Sequence, residues 1–414
     1  MTRVLAYTSP ARGHLYPLTP TLIELQRRGH DVVLRTLSSQ VDQMRALGFE
    51  AAPIDPRIEA IEHDDFKGKN PIDRVRRALE VFMQRAPLDA GDLRAAIEAE
   101  TPDALIVDGT TWGASAVAEA SGLPWANWMP YLMPLPSEGA PPWGPGFAPA
   151  RGPLGRGRDR VIGRFLAKQI NAVVLDPTNA ARRDAGLPLV GDGFEVLTRA
   201  PLTIYLTAEP MEYPRPDWPK SIRMVGPGTW EPPGGEAPAW LEDESDARPL
   251  VLVTISSEFQ DDGKLISTAL EALRDEPVRV LATSLDTDPA SFDVPPNARV
   301  ERFVPHGQVI ERAACVVCHG GMGITQKALA QGVPVCVVPF GRDQLETARH
   351  VEVAGAGTRL LAQRLNPKRL RAAVRGAMDR RDGAQRMAAA FEAAGGASAA
   401  ADAFESLLRA PARV

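Results

Sequence analysis

The amino-acid sequence predicts an α/β protein built as two similar parallel-sheet domains that face each other across a cleft. Three observations predict it. Strand, glycine-containing turn and helix follow one another at the start of the chain, the same order restarts near residue 250, and a segment rich in proline and glycine lies between. Two such units, each opening a half, indicate two sheets rather than one large one.

Residues 4–8 are an apolar run read as a strand. Residues 9–14 form a turn with one glycine, and 15–28 a helix closed by Gly29 before a second strand at 31–36. A further strand at 104–107 ends in Asp108, followed by Gly109-Thr110-Thr111-Trp112. Residues 213–238 read as a linker. The second half opens with a strand at 250–255, a loop at 256–263 and a helix at 264–274. The expected division is a first domain at 1–212, a linker at 213–245, a second domain at 246–380 and a helical segment at 381–414. Ligands of open parallel sheets sit beyond the carboxyl ends of the strands, so the cleft between the halves is the expected site.

The densest chemistry lies at Cys318-His319-Gly320-Gly321-Met322-Gly323-Ile324-Thr325, followed by Gly332-Val333-Pro334, Pro339 and Asp343-Gln344. The apolar run 313–317 reads as a buried strand, the glycines allow a tight turn, and 324–331 has the composition of a helix starting there. Free N–H groups at a helix start attract anions, which makes this a place for a phosphate. Asp343 and Gln344 pair an acceptor with an amide that both donates and accepts, a set suited to sugar hydroxyls. Together they point to a nucleotide-sugar.

These residues, with Ala328-Leu329, resemble the donor signature of inverting glycosyltransferases of the GT-B fold, in the bacterial natural-product branch that glycosylates macrolides and other polyketides. Gly13-His14 with Pro17, Val225-Gly226-Pro227 and Phe303-Val304-Pro305 extend the resemblance over nearly the whole chain. It implies two Rossmann-like domains with the C-terminal helix packing back on the first. It also implies a base held by Val304 through its backbone. In one departure, Lys327 stands where many relatives carry a glutamate that accepts bonds from the ribose hydroxyls. A deoxyribose has no 2′-hydroxyl to lose, so the resemblance favours a dTDP-sugar, with a UDP-sugar as the alternative.

Inverting transfer needs a base to take the acceptor hydroxyl's proton. His14, just past the first strand, is placed to face the cleft, and an imidazole pKa near 6.5 suits the task. A helix-capping role is the blander reading from position alone. The resemblance makes Asp108 its partner, orienting the ring and stabilising its charged form. The departing diphosphate is expected to be met by the helix N–H groups near Gly321, Gly323 and Thr325, by His319 and by Ser256-Ser257, without a divalent metal or other cofactor. A solvated turn is an equal reading of the two serines. For the acceptor, Trp112, Trp128, Tyr131, Met133 and Trp143 concentrate aromatic and thioether surface in the first half, some of it ordinary core, the rest suited to a wide apolar pocket.

Bulk properties fit without demanding this reading. The 414 residues hold two ordinary cores, and a net charge of −5 gives no general attraction to nucleic acid. Three cysteines, all between 315 and 336, argue for a reducing cytoplasm rather than a disulfide framework. No apolar run approaches the roughly 20 residues that span a bilayer. A soluble monomer or homodimer is expected. Cys315-Val316-Val317-Cys318-His319 spells a haem-attachment pattern inside a predicted buried strand, and zinc lacks a second ligand pair. Asp286-Thr287-Asp288 matches a metal-binding triplet but reads as a solvated turn. The basic run Arg151, Arg156, Arg158, Arg160, Arg164 reads as a mobile solvated loop, with contact to anionic lipid as the alternative. His30, His63 and His350 have no arguable partner.

Sugar transfer to a small hydrophobic acceptor is the leading function. A non-hydrolysing nucleotide-sugar epimerase shares the fold but needs no aromatic acceptor pocket. A catalytically silent auxiliary protein of a glycosyltransferase needs neither His14 nor Asp108.

Overall fold

The computed structural model describes residues 1–232, 239–242, 246–256 and 262–409. Ser257 and part of the predicted linker lie outside them. Seven strands make the first sheet: β1 (Arg3–Tyr7), β2 (Asp31–Thr36), β3 (Glu50–Pro53), β4 (Ala104–Asp108), β5 (Trp125–Met129), β6 (Leu202–Tyr205) and β7 (Ile222–Met224). They pair in parallel in the order β3-β2-β1-β4-β5-β6-β7. Six more, β8 (Leu250–Thr254), β9 (Arg279–Thr283), β10 (Ala298–Glu301), β11 (Ala313–Cys318), β12 (Val335–Val337) and β13 (Gly357–Arg359), make the second. Their order, β10-β9-β8-β11-β12-β13, is again parallel throughout.

Helices cover both faces of each sheet, which is why the strands are continuous apolar runs rather than alternating ones. Val4, Ala6 and Ile106 feed one core of the first half, and Leu5, Tyr7 and Val107 the other. Leu250, Leu252 and Val316 face one side of the second sheet, Val251, Val253 and Val317 the opposite side. In each sheet the chain winds outward from its first strand to one edge and then returns past it. The switch points therefore fall between β1 and β4 and between β8 and β11. The register of β1 on β4 sets Tyr7 opposite Val107, so the turn after β1 and the end of β4 are neighbours.

The polypeptide passes between the halves twice. After the helix Arg381–Ala393, whose Ala384, Met387 and Phe391 belong to the second core, the chain returns to the first. There the helix Gly396–Arg409 inserts Ala400, Ala401 and Phe404 among Leu15, Leu18 and Leu22, and Arg28 reaches Asp402 at 2.6 Å. The two passages lie side by side. Gly396 N–H donates to the Val225 carbonyl at 2.7 Å. Gly226 adopts a left-handed φ of +82°, and a Cβ there would stand 2.8 Å from the Phe391 oxygen.

Two local expectations change. The first helix spans Arg12–Arg27, so His14 lies in its first turn rather than before it. The basic run is no loop beyond Arg151, because Arg156, Arg158, Arg160 and Arg164 lie in the first half of the helix Pro153–Asp184. Proline at the first helical position is compatible with helix initiation, and the packed second half carries the glycines at 155, 157 and 163, each costing about 1 kcal/mol.

Candidate active site

Asp108, the last residue of β4, has no exposed surface. Its Oδ1 accepts the Thr110 N–H at 2.9 Å and the Thr110 hydroxyl at 2.7 Å. Its Oδ2 accepts the Ser9 N–H at 3.2 Å and meets His14 Nδ1 at 2.7 Å. Burial alone would raise the carboxyl, but the His14 charge and hydrogen bond, with the two bonds from Thr110, hold it below the usual carboxylate value. An ionised Asp108 fixes the imidazole with Nδ1 as donor, leaving the Nε2 lone pair available to a hydroxyl. Tyr131 stands beside this pair, its ring centroid 5.9 Å from that of His14.

On the second domain, β11 ends at Cys318 and the helix Met322–Ala330 starts after three intervening residues. Gly320 makes the turn with φ +98°, and a Cβ there would press within 2.7 Å of Val337. At Gly323 a Cβ would meet nothing, so the bare backbone is left open to the cleft. His319 is buried behind the turn and its Nδ1 has no hydrogen-bond partner. Burial, and then the positive charge of Arg342, push His319 down to about 4, so it is a neutral imidazole. Asp343, raised by burial, is opposed by the charges of Arg342 and His14, and both Asp343 and Asp108 act on the Tyr131 hydroxyl. The His14–Asp108 pair of one domain thus lies within electrostatic reach of Asp343 of the other.

Not every predicted site residue presents its side chain. Thr325 is buried with its hydroxyl 3.7 Å from Cys318 Sγ, and its backbone N–H donates to the Gly321 carbonyl at 3.1 Å, closing the first turn of the helix. Gln344 spends its amide oxygen on the N–H groups of Phe340 and Gly341, at 2.8 and 3.0 Å, closing the turn that precedes its helix. Val304 buries its side chain in the core, while Phe303 beside it is 62% exposed. Ser256 N–H bonds Asp262 at 2.8 Å. Among the aromatic candidates, Trp128 is wholly buried in the first core and Met133 in a small cluster with Met129 and Tyr205. Trp112 lines a separate hollow with Asn127 and Arg182. Tyr131 and Trp143 remain near the cleft, Trp143 tied to the Leu132 carbonyl at 3.0 Å.

Three residues that sequence reading missed complete the site. Arg342 sits between the two domains with a left-handed φ of +52°, and its guanidinium meets the buried Asp65 carboxylate at 3.3 Å. Arg74 of the same segment donates to the Phe340 carbonyl. Glu231, from the first passage between the halves, meets Lys327 Nζ at 2.5 Å and accepts the Gly307 N–H at 2.9 Å. Burial lowers the Lys327 ammonium although Glu231 opposes it. No local signal marks these contacts, since Asp65 and Arg342 are 277 positions apart.

The remaining motifs resolve simply. Cys315 and Cys318 point to opposite faces of β11, which rules out two attachments to one haem. Asp286, Thr287 and Asp288 are exposed, and Asp288 caps a short turn through Ala290 N–H at 3.2 Å. His350 Nδ1 lies 2.7 Å from the Met211 carbonyl across the domain boundary, and His30 faces Glu405 at 3.3 Å. Among the described residues no three metal-ligating side chains gather, and no helix is long and apolar enough to cross a membrane.

Residues 269–402 match the family described as erythromycin biosynthesis protein CIII-like, C-terminal domain. The 4′-demethylrebeccamycin synthase of Lentzea aerocolonigenes is 33% identical over 393 residues, covering 91% of this chain and 92% of that protein. Among solved structures, the glycosyltransferase of kitacinnamycin superposes with a TM-score of 0.76 at 24% identity, over 98% of both chains. The glycosyltransferase VinC in complex with dTDP gives 0.71 at 21% identity, over 98% of this chain and 99% of its own. By its doubly wound pair of sheets and its similarity to the synthase over nine-tenths of either sequence, the chain belongs to the GT-B glycosyltransferases of natural-product biosynthesis.

Proposed function

We propose that the enzyme transfers a sugar, with inversion, from a dTDP-sugar in preference to a UDP-sugar onto a hydroxyl of a hydrophobic small molecule, with His14 as general base. The carrying observation is the His14–Asp108 pair at 2.7 Å, set at the switch point of the first sheet and electrostatically coupled to Asp343 of the second. In this reading the acceptor oxygen attacks the anomeric carbon as its proton passes to His14 Nε2. The bond from that carbon to the diphosphate breaks on the opposite side, and the nucleotide leaves as an anion. The N–H groups at the start of Met322–Ala330 and the Arg342 cation meet that charge, with His319 as a neutral donor. Tyr131 and Trp143 form the acceptor wall. The three buried free thiols fit a cytoplasmic setting.

The test is release of nucleoside diphosphate from dTDP- and UDP-sugars, with and without a panel of hydrophobic alcohols and phenols. Release that requires an acceptor supports transfer. Isomerisation without an acceptor would instead identify an epimerase, and silence an auxiliary protein. Activity is expected to persist in excess EDTA, because helix N–H groups and a guanidinium supply the charge. A loss that Mg²⁺ or Mn²⁺ restores would overturn the metal-independent assignment.

Donor choice follows from Lys327 and Glu231. Lys327, at the position of the family's glutamate, gives its ammonium to Glu231, whose other oxygen accepts the Gly307 N–H, and an ammonium offers a ribose 2′-hydroxyl no acceptor. Calorimetric titration is expected to find dTDP bound at least as tightly as UDP, and Lys327→Glu to shift the preference toward UDP. A wild-type preference for UDP of tenfold or more, about 1.4 kcal/mol, would show that another residue holds the ribose.

A further inference from the structure

The helix Pro153–Asp184 has two unlike halves. Its second half buries Val174, Thr178, Ala181 and Arg182, whereas no residue from 153 to 173 is buried. Leu154, Val161 and Phe165 are 92%, 68% and 51% exposed. Spacings of seven and four place them on one line along the helix. Residues 151–168 carry five arginines and one lysine against a single acid, Asp159, which is itself paired with Arg158 at 2.6 Å. Arg158 and Lys168 border the apolar line on either side and Arg164 lies next to Lys168, whereas Arg156 and Arg160 turn toward the opposite face. In a chain of net charge −5 this is a strong local reversal of sign.

We propose that this exposed face seats on an anionic lipid surface, the apolar line entering the headgroup boundary while the cations meet the phosphates. An amphipathic helix with apolar residues flanked by arginine and lysine has the composition for such a surface. Charge complementarity selects the occupant: a second copy of the same face would set cations against cations. The position adds a use that rests on the acceptor class proposed above. Gly163 lies against Pro142, and the Arg158 guanidinium covers the Phe147 ring at 4.6 Å, so the helix stands on the loop that carries Trp143. Docking here brings that loop to within about one helix diameter of the lipid, where a hydrophobic acceptor partitions.

Flotation with vesicles of phosphatidylcholine alone, and of phosphatidylcholine mixed with phosphatidylglycerol, tests the docking without reference to activity. Binding is expected only to the mixed vesicles and should fade as salt is raised. Each cation near an anionic surface contributes about fivefold in affinity, so Arg164→Ala/Lys168→Ala, on the border of the apolar line, should weaken binding about 25-fold. Leu154→Ser/Val161→Ser/Phe165→Ser should weaken it at least tenfold. These side chains are exposed, and unchanged melting of both variants serves as the folding control. Failure of the wild type to bind the mixed vesicles, or binding indifferent to both variants, overturns the proposal. So does a wild-type dimer that the apolar triple variant dissociates, which would mean that a second copy covers the face. Lipid docking combined with acceptor-independent chemistry would instead retain the surface and reject the acceptor reading.

Discussion

Replacing His14 by alanine is expected to lower kcat by about 100-fold or more while nucleoside diphosphate binds as before. The effect is large because His14 is the general base of the proposed transfer. Its Nδ1 is committed to Asp108 at 2.7 Å, so Nε2 is the nitrogen left to accept a proton. Donor affinity should survive, because His14 belongs to the first domain and the phosphate turn to the second. Asp108→Asn is the companion variant. It preserves shape, but the amide can turn an N–H toward His14 and impose the opposite tautomer, and it withdraws the negative charge that stabilises the imidazolium. A similar loss of kcat with an unchanged nucleotide Kd is expected. If His14→Ala retains most of its single-turnover rate, the histidine is a helix-start residue and the proton goes elsewhere.

The second large effect is expected at Arg342. Its replacement by alanine removes the cation that acts on both His319 and Asp343, and should weaken nucleoside diphosphate binding by about ten- to a hundredfold, the scale of one or two charge-assisted hydrogen bonds. Asp65→Asn separates this role from simple bridging. It releases the guanidinium from a contact at 3.3 Å without removing its charge, so nucleotide affinity should hold while the domains part more readily. Equal losses in the two variants would mean that Arg342 matters only as a tie between domains. Calorimetry with dTDP, beside scattering measurements of overall dimensions, distinguishes the outcomes.

Much of this site was legible from residue order because its parts are local. An apolar run that ends at a glycine turn and restarts as a helix specifies a strand edge. Two such edges brought together by β1–β4 pairing give His14 and Asp108. What stayed hidden depends on contacts between distant segments. Nothing near Glu231 announces Lys327, and nothing near residue 342 announces that an arginine there takes a backbone conformation usually left to glycine. Composition also failed to separate pocket from core. Trp128 and Trp143 look alike in sequence, yet one is strand interior and the other cleft loop. The arginine-rich run reads as a loop on the strength of its glycines, although it belongs to a helix of 32 residues whose packed second half decides its conformation.

The paired passages between the halves carry a mechanical consequence. Two covalent connections anchored to each other by Gly396 N–H and the Val225 carbonyl behave as the spine of a book, leaving the halves one angle to vary and no freedom to slide. Displacement then grows with distance from that spine. Contacts between the halves, such as Arg342 with Asp65, separate as that angle opens. An ion pair at such a lever arm converts a small rotation into a complete break.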